Sequence, residues 1–551
     1  MAADLPFILV VTLPFAGALL VSITKGLGDR VSSYLSVAIG CVTAVISIAA
    51  IPKVHSGYGA FGLLVDGLGY SVALASSVLG SVVLLYSLGY MAHESDRPRY
   101  YSLVLLTIGS VNAFALSGNI LAMVPSWAFC SFLTCRLIGF NRNNPDAPSC
   151  ARRALAFGRA GDVLLILGLG LLYFASGAKG FGLREIAGGI SAGKDSLLTI
   201  LSAYAILLAA MVRSAQIPLH VWLPGAMEAP SSASALLDAA TVMNIGVYIV
   251  MRLYPIYRNV PAWTGAVLWT GAVTILLSAL MALYAGDLKK MLAYSTMSQL
   301  GYMFFAVGVG SLLGAQFHLM SHAIFKTLLF LAAGAIVHAT GTRDMDLLSG
   351  AGAKMPLTKV VSAVGVMGLS GVPFMSGFFS KDMILAGALQ KHEYTALVLA
   401  GLGAVLTVVY SWSAYIKVFH GTVSRAVQSA REAPLSMEIP MVILALLTPF
   451  FWLAIGVESR QLAHAVPGMG IHTVSPLYLV EETFASVAFL ISVAALVIGL
   501  ALVRRRQRVR TWMEAHAAGL VSACRQGFYF ERLFATPSRP RGERKHPLRR
   551  A

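Results

Sequence analysis

Apolar stretches of about twenty residues recur along the chain from near the N-terminus to about residue 503, separated by short polar or charged interruptions. A helix that crosses a bilayer needs about 20 mostly apolar residues, each advancing it by about 1.5 Å. The pattern predicts about fifteen spans, near 4–24, 31–52, 68–91, 101–118, 120–140, 157–176, 195–217, 233–254, 264–285, 288–309, 313–339, 358–388, 394–416, 436–457 and 479–503. The expected fold class is therefore an all-α polytopic membrane protein. The first apolar stretch carries Asp4 where a signal peptide carries basic residues, and no small-residue cleavage site follows it. It reads as a span, not a removable leader.

Composition agrees: 57% of residues are hydrophobic and only 12% charged, and the mean hydropathy is +0.75. Lysine and arginine gather in alternate loops. One set holds Lys25, Arg30, Arg97, Arg99, Arg142, Arg152, Arg153, Arg343, Lys354, Lys417 and the run from Arg504, while the opposite set is poorer. Cytoplasmic loops carry such an excess, so the N-terminus is expected outside and the C-terminus in the cytoplasm. The net charge of +17 is then mostly topology. The basic RPRGERKHPLRR near the C-terminus follows a last span, where it reads as an orientation signal or a contact with anionic lipid rather than with nucleic acid.

The five cysteines form no CxxC pair and no iron–sulfur or zinc spacing, and there is no dinucleotide-binding glycine fingerprint and no phosphate-binding GxxxxGK[ST]. No cofactor is expected in this chain, and any redox or ATP chemistry must come from a partner.

What remains is charge inside the spans, which is costly in lipid and marks ion or proton pathways. The candidates are Asp162, Arg213, Asp238, His318, His322, Lys326, Lys381 and Asp382. In FHLMSHAIFKTLLF, His318, His322 and Lys326 are spaced by four and share one helix face. Imidazole exchanges protons near neutrality and a buried amine can surrender one, which is what a relay requires; the alternative is a satisfied polar seam between helices. Lys289 and Lys290 open a span and read as lysines snorkelling to the interface, and Arg136 and Arg159 near span ends read the same way.

Two stretches, RSAQIPLHVWLPG from Arg213 and SGVPFMSGFFSKD ending at Asp382, place proline inside a span. Proline removes a backbone donor, and the freed carbonyls are tolerable only where they line protein or water. Two broken helices five spans apart suggest two inverted five-helix repeats, with unrelated kinks as the alternative.

The stretches SAQIPLHVWLPGAMEAPSSASALL, DLKKMLAYSTMSQLGYMFF, FHLMSHAIFKTLLFLAAGAIVHA and SGFFSKDMIL resemble the antiporter-like subunits of respiratory complex I, above all its L subunit. The same family includes subunits of Mrp cation/proton antiporters and of membrane-bound hydrogenases, and the membrane partner of the DAB inorganic-carbon uptake system. The resemblance covers about Asp66 to Asp382. It implies that Lys326 is the central channel lysine, His318 and His322 its relay, and Lys381 the terminal lysine of the second half-channel, with Asp162 beside the first. The spans and the two broken helices suggest a division into N-terminal helices (1–100), a first repeat (101–254), a second (255–420), C-terminal helices (421–503) and a basic cytoplasmic tail (504–551).

Three positions depart from the family. Trp127 is followed by Ala128 instead of glutamate, the first channel lysine is replaced by Arg213, and the histidine of the eighth span by Asp238. Arginine stays protonated and cannot relay, so Arg213 is expected to hold a fixed pair with Asp238 or Asp162. The first half-channel is then either inactive or dependent on Asp238, while the second is intact. QGFYFERLF, from Gln526, resembles the start of the L subunit's lateral helix, but the 48 residues after the last span leave no room for that helix and a further crossing.

Two functions stay open: a proton-translocating subunit of an NADH-quinone oxidoreductase-like complex, or the membrane partner in proton-driven uptake of inorganic carbon or in cation exchange. The expected partners are other membrane subunits, including a redox arm and sister subunits, or a soluble zinc protein. The expected location is a bacterial or archaeal cell membrane.

Overall fold

A computed structural model of the chain describes residues 4–54, 57–94, 96–190 and 196–534. Each of the fifteen predicted stretches carries helix within the described residues, and eleven helices are long and apolar enough to cross a membrane. A two-residue hairpin, Gly57–Tyr58 against Leu64–Val65, is the single sheet among the described residues.

Local chemistry sets the helix starts. Asp66 accepts from the Gly69 amide, Ser196 from that of Thr199, and Asp287 from those of Lys289 and Lys290, so each caps amides that the first turn leaves without partners.

Burial separates a core from a rim. The apolar window of Ser231–Tyr257 is wholly buried and that of Leu312–Thr340 is 94% buried, against 22% for Val487–Arg504. The charged stripe therefore lies on a central helix, where protein and not lipid surrounds it.

Both proline-bearing stretches break their helices. Leu197–Arg213 stops at Arg213, and turns follow through Trp222. The stretch predicted as one span at 358–388 is two helices, Pro356–Ser370 and Ser376–Gln390, with Gly371 at φ +71° between them. The wholly buried helix contains a wider π-helical segment, Ala235–Ala240, in which Asp238 sits. After the last long helix, residues Arg506–His516 and Ala518–Arg525 form two short helices, and the end of the basic tail, 535–551, lies outside the described residues.

Candidate functional site

The stripe on Leu312–Thr340 is fully buried. The His318 and His322 rings lie 6.3 Å apart, and His318 Nδ1 shares a 2.9 Å hydrogen bond with Ser380 Oγ. His318 Nε2 and both nitrogens of His322 have no hydrogen-bond partner among the described residues. A buried polar group left so costs about 1–3 kcal/mol unless water reaches it.

Lysines bracket the histidines. Lys326 Nζ donates to the Leu292 carbonyl at 3.1 Å, and Lys381 Nζ to that of Leu369 at 2.5 Å. Leu369 lies in the last turn before the break, so its carbonyl lacks a helical donor and receives the ammonium instead. The Tyr302 ring joins the set, 5.7 Å from Lys381 Nζ and 6.2 Å from the His318 ring.

Asp382 turns the other way. It accepts from Ser486 at 3.2 Å and Ser492 at 3.5 Å, and lines a cavity of about 470 Å³ shared with Glu482, Arg258 and Lys391. Successive helix residues diverge by about 100°, so one short helix directs the lysine inward and the carboxylate toward the cavity.

Asp238 lies one helix away, buried, with Oδ2 unpartnered. The charges that reach it are Lys289 and Lys326, not Arg213. Arg213 holds the other predicted partner. Its Nη2 donates to Asp162 at 3.4 Å, to Ser131 Oγ at 2.7 Å and to the Trp127 carbonyl at 3.0 Å, and its guanidinium stacks 4.2 Å from the Trp127 ring. Ser131 also donates to Asp162 at 2.7 Å, and Arg159, 51% exposed, adds a second ion pair at 3.0 Å. Arg213, Asp162 and Arg159 are thus closed on one another.

Lys289 corrects the snorkelling expectation. It is buried, with Nζ donating to the Ala229 carbonyl at 2.6 Å. Beside it Arg343 pairs with Glu228 at 3.1 Å and Asp287 at 3.2 Å, and Asn144 donates to Glu228 at 2.7 Å. Burial works against the Glu228 charge, but Arg343 and Asn144 outweigh it and hold the carboxyl below its usual range. Lys289 precedes Leu292 by three residues and so shares its helix face, a spacing that could have singled it out. Glu228 and Arg343 come from loops and carry no periodic signal. Nor was Glu458 anticipated, buried where it accepts from Gln316 at 2.7 Å and Ser71 at 3.2 Å.

The family profile described as "NADH:quinone oxidoreductase/Mrp antiporter, TM" matches residues 117–407, more than half of the chain and all of these groups up to Asp382. The chain belongs to this family. A second profile, for the N-terminus of chain 5 of complex I (NADH-ubiquinone oxidoreductase), matches residues 58–101. Similar relatives of this antiporter family are NAD(P)H-quinone oxidoreductase subunit 5 from the organellar chromatophore of Paulinella chromatophora and the chloroplast subunit 5 of Zygnema circumcarinatum. The first is 33% identical over 422 residues, 70% of this chain and 63% of the relative; the second is 35% identical over 382 residues, 67% and 54%. The chain thus spans between about half and just under two thirds of these relatives. The fold is shared with the Mrp complex of Dietzia sp. DQ12-45-1b, at TM-score 0.82 and 24% identity over 97% of this chain and 60% of that one. It is also shared with a membrane-bound sulfane sulfur reductase, an archaeal respiratory complex, at TM-score 0.76 and 21% identity over 86% and 99%. The protein is a multi-pass membrane protein of this antiporter-like class.

Proposed function

We propose that this chain is a proton-translocating membrane subunit whose second half carries the protons. The supporting observation is the buried row in which Lys326 and Lys381 bracket two histidines with three unpartnered ring nitrogens. A relay needs groups that can both hold and release a proton, spaced so that water or a side-chain swing bridges them. Protons pass among Lys326, His322, His318 and Lys381, leave or arrive by Asp382 and its cavity, and reach Lys326 from Asp238. Arg213 and Asp162 are a compensated ion pair and carry none.

The relatives named as subunit 5 of quinone oxidoreductases favour an NADH-quinone oxidoreductase-like assembly, in which other membrane subunits and a redox arm drive this chain. The two broken helices are the matching pieces of inverted repeats at 101–254 and 255–420, flanked by helices at 1–100 and 421–503. The loop charges put the N-terminus outside and the tail from 504 in the cytoplasm of a bacterial or archaeal cell. Proteoliposomes of the assembled complex, read with a pH-sensitive dye, test the proposal: Lys326→Ala assembles and loses coupled proton movement. Wild-type flux in that variant refutes it.

A further inference from the structure

Arg213 is locked in its pair with Asp162, so the row on the second half needs a connection to the inner surface that does not pass through it. Four observations converge on one place. A cavity of about 190 Å³ is lined by Tyr90, Asn141, Asn144, Glu228, Lys289 and Arg343, where the loop charges put the cytoplasmic face. Liquid water occupies about 30 Å³ per molecule, so this volume holds several. Lys289 brings its ammonium to the cavity wall, held by a single backbone carbonyl, that of Ala229. Asp238 is buried with Oδ2 unpartnered, and the charges that bear on it are those of Lys289 and Lys326. Across the mouth lies Arg343, 31% exposed and bound to both Glu228 and Asp287.

We propose that this cavity is an inner vestibule that loads protons onto Lys289 and, through Asp238, onto Lys326, bypassing Arg213, with Arg343 as the latch over its mouth. The inference rests on the proton-translocating reading of the second half. Each transfer balances. Neutral Lys289 takes a proton from vestibule water, which is replenished from the inner solution. Through bridging water, the Lys289 ammonium gives a proton to the Asp238 carboxylate and the Asp238 carboxyl gives one to neutral Lys326, since neither amine is ion-paired with Asp238 among the described residues. One N–H or O–H bond breaks and one forms at every step, with no electron transfer. Arg343 cannot take part, because guanidinium does not release its proton. Its pairs with Glu228 and Asp287 instead tie the segment before the wholly buried helix to the start of Leu288–Gly308, the helix that carries Lys289. Breaking them opens the mouth.

The test separates access from flux. In the full-length chain with Cys41, Cys130, Cys135, Cys150 and Cys524 replaced, Ala229→Cys is placed on the vestibule wall, and a membrane-impermeant cationic thiosulfonate is added from one side at a time. The expected result is labelling from the inner side only, faster when Arg343→Gln is added. In proteoliposomes of the assembled complex, Lys289→Met and Lys289→Arg are both expected to lower proton flux by about a hundredfold, the scale of losing a positioned proton donor. Lys290→Gln, outside the vestibule, keeps it. Lys289→Arg preserves the charge and the bond to Ala229, so wild-type flux in that variant assigns Lys289 a structural role and overturns the proposal. An Ala229→Cys that stays unlabelled from the inner side overturns it as well. Wild-type flux in Lys326→Ala would instead refute the underlying function, whatever the labelling shows.

Discussion

At the scale of single residues, the first half turns on which carboxylate compensates Arg213. The chain offered Asp162 and Asp238 within adjacent spans, and both are apolar-flanked, so sequence alone left either partner open. Packing decides it: Ser131 bridges Arg213 and Asp162, and the Trp127 ring stacks under the guanidinium. Removing one member of a buried pair strands the other charge, at a cost of about 3–5 kcal/mol. Asp162→Asn is therefore expected to destabilise the protein by about that much, and Arg213→Gln combined with Asp162→Asn to recover most of the loss. Asp238→Asn combined with Arg213→Gln should be additive, because the two residues share no partner. Denaturant unfolding in detergent of the single and double variants checks both statements, and strict additivity of the 213/162 pair would contradict the bridge seen here.

Among helices, the break between Pro356–Ser370 and Ser376–Gln390 controls the site. Pro373 marked this break in the sequence, as Pro218 marked the first, and the four-residue spacing of His318, His322 and Lys326 fixed their common face. Three things were not legible. The break leaves the Leu369 carbonyl to hold Lys381, and which carbonyl is freed depends on the residue at which the helix stops. The π-helical widening at Ala235–Ala240 that places Asp238 has no sequence signature. Lys289 looked like an interfacial lysine because its burial comes from the loop at Ala229, far away in the chain. Glycine spacing adds a prediction here. A methyl group on Gly377 would collide with the Gly368 carbonyl oxygen across the break, whereas one on Gly170 meets nothing within 4 Å. Gly377→Ala must push the two half-helices apart, costing about 1–3 kcal/mol and displacing Lys381 from Leu369. Gly170→Ala, mid-helix and unobstructed, should be neutral or stabilising by about 0.5–1 kcal/mol. Thermal unfolding and proton flux of the two variants provide the comparison: equal effects would mean the break is loosely packed.

For the molecule as a whole, the two broken helices carry unlike charges in unlike surroundings. Lys381 stands at the second break with one carbonyl and one aromatic ring as its company and no carboxylate pairing its ammonium among the described residues. Arg213 stands at the first with a carboxylate, a hydroxyl, a carbonyl and an indole face, every contact favouring a permanent cation. An amine with so little compensation is costly to keep charged inside the bundle, and can alternate between its two forms; a fully compensated guanidinium cannot. Substitutions at the two breaks should therefore have opposite weight. Lys381→Ala removes the amine proposed to exchange protons and is expected to abolish coupled flux while the complex still assembles. Arg213→Lys keeps a cation beside Asp162 but gives up the planar stacking on Trp127 and part of the donor set, so a loss of about 1–2 kcal/mol in stability is expected with flux largely retained. Flux normalised to assembled protein, measured on both variants in the same proteoliposome preparation, decides the matter. An active Lys381→Ala beside an inactive Arg213→Lys would move the working channel to the first half and make Arg213 the electrostatic gate between the halves.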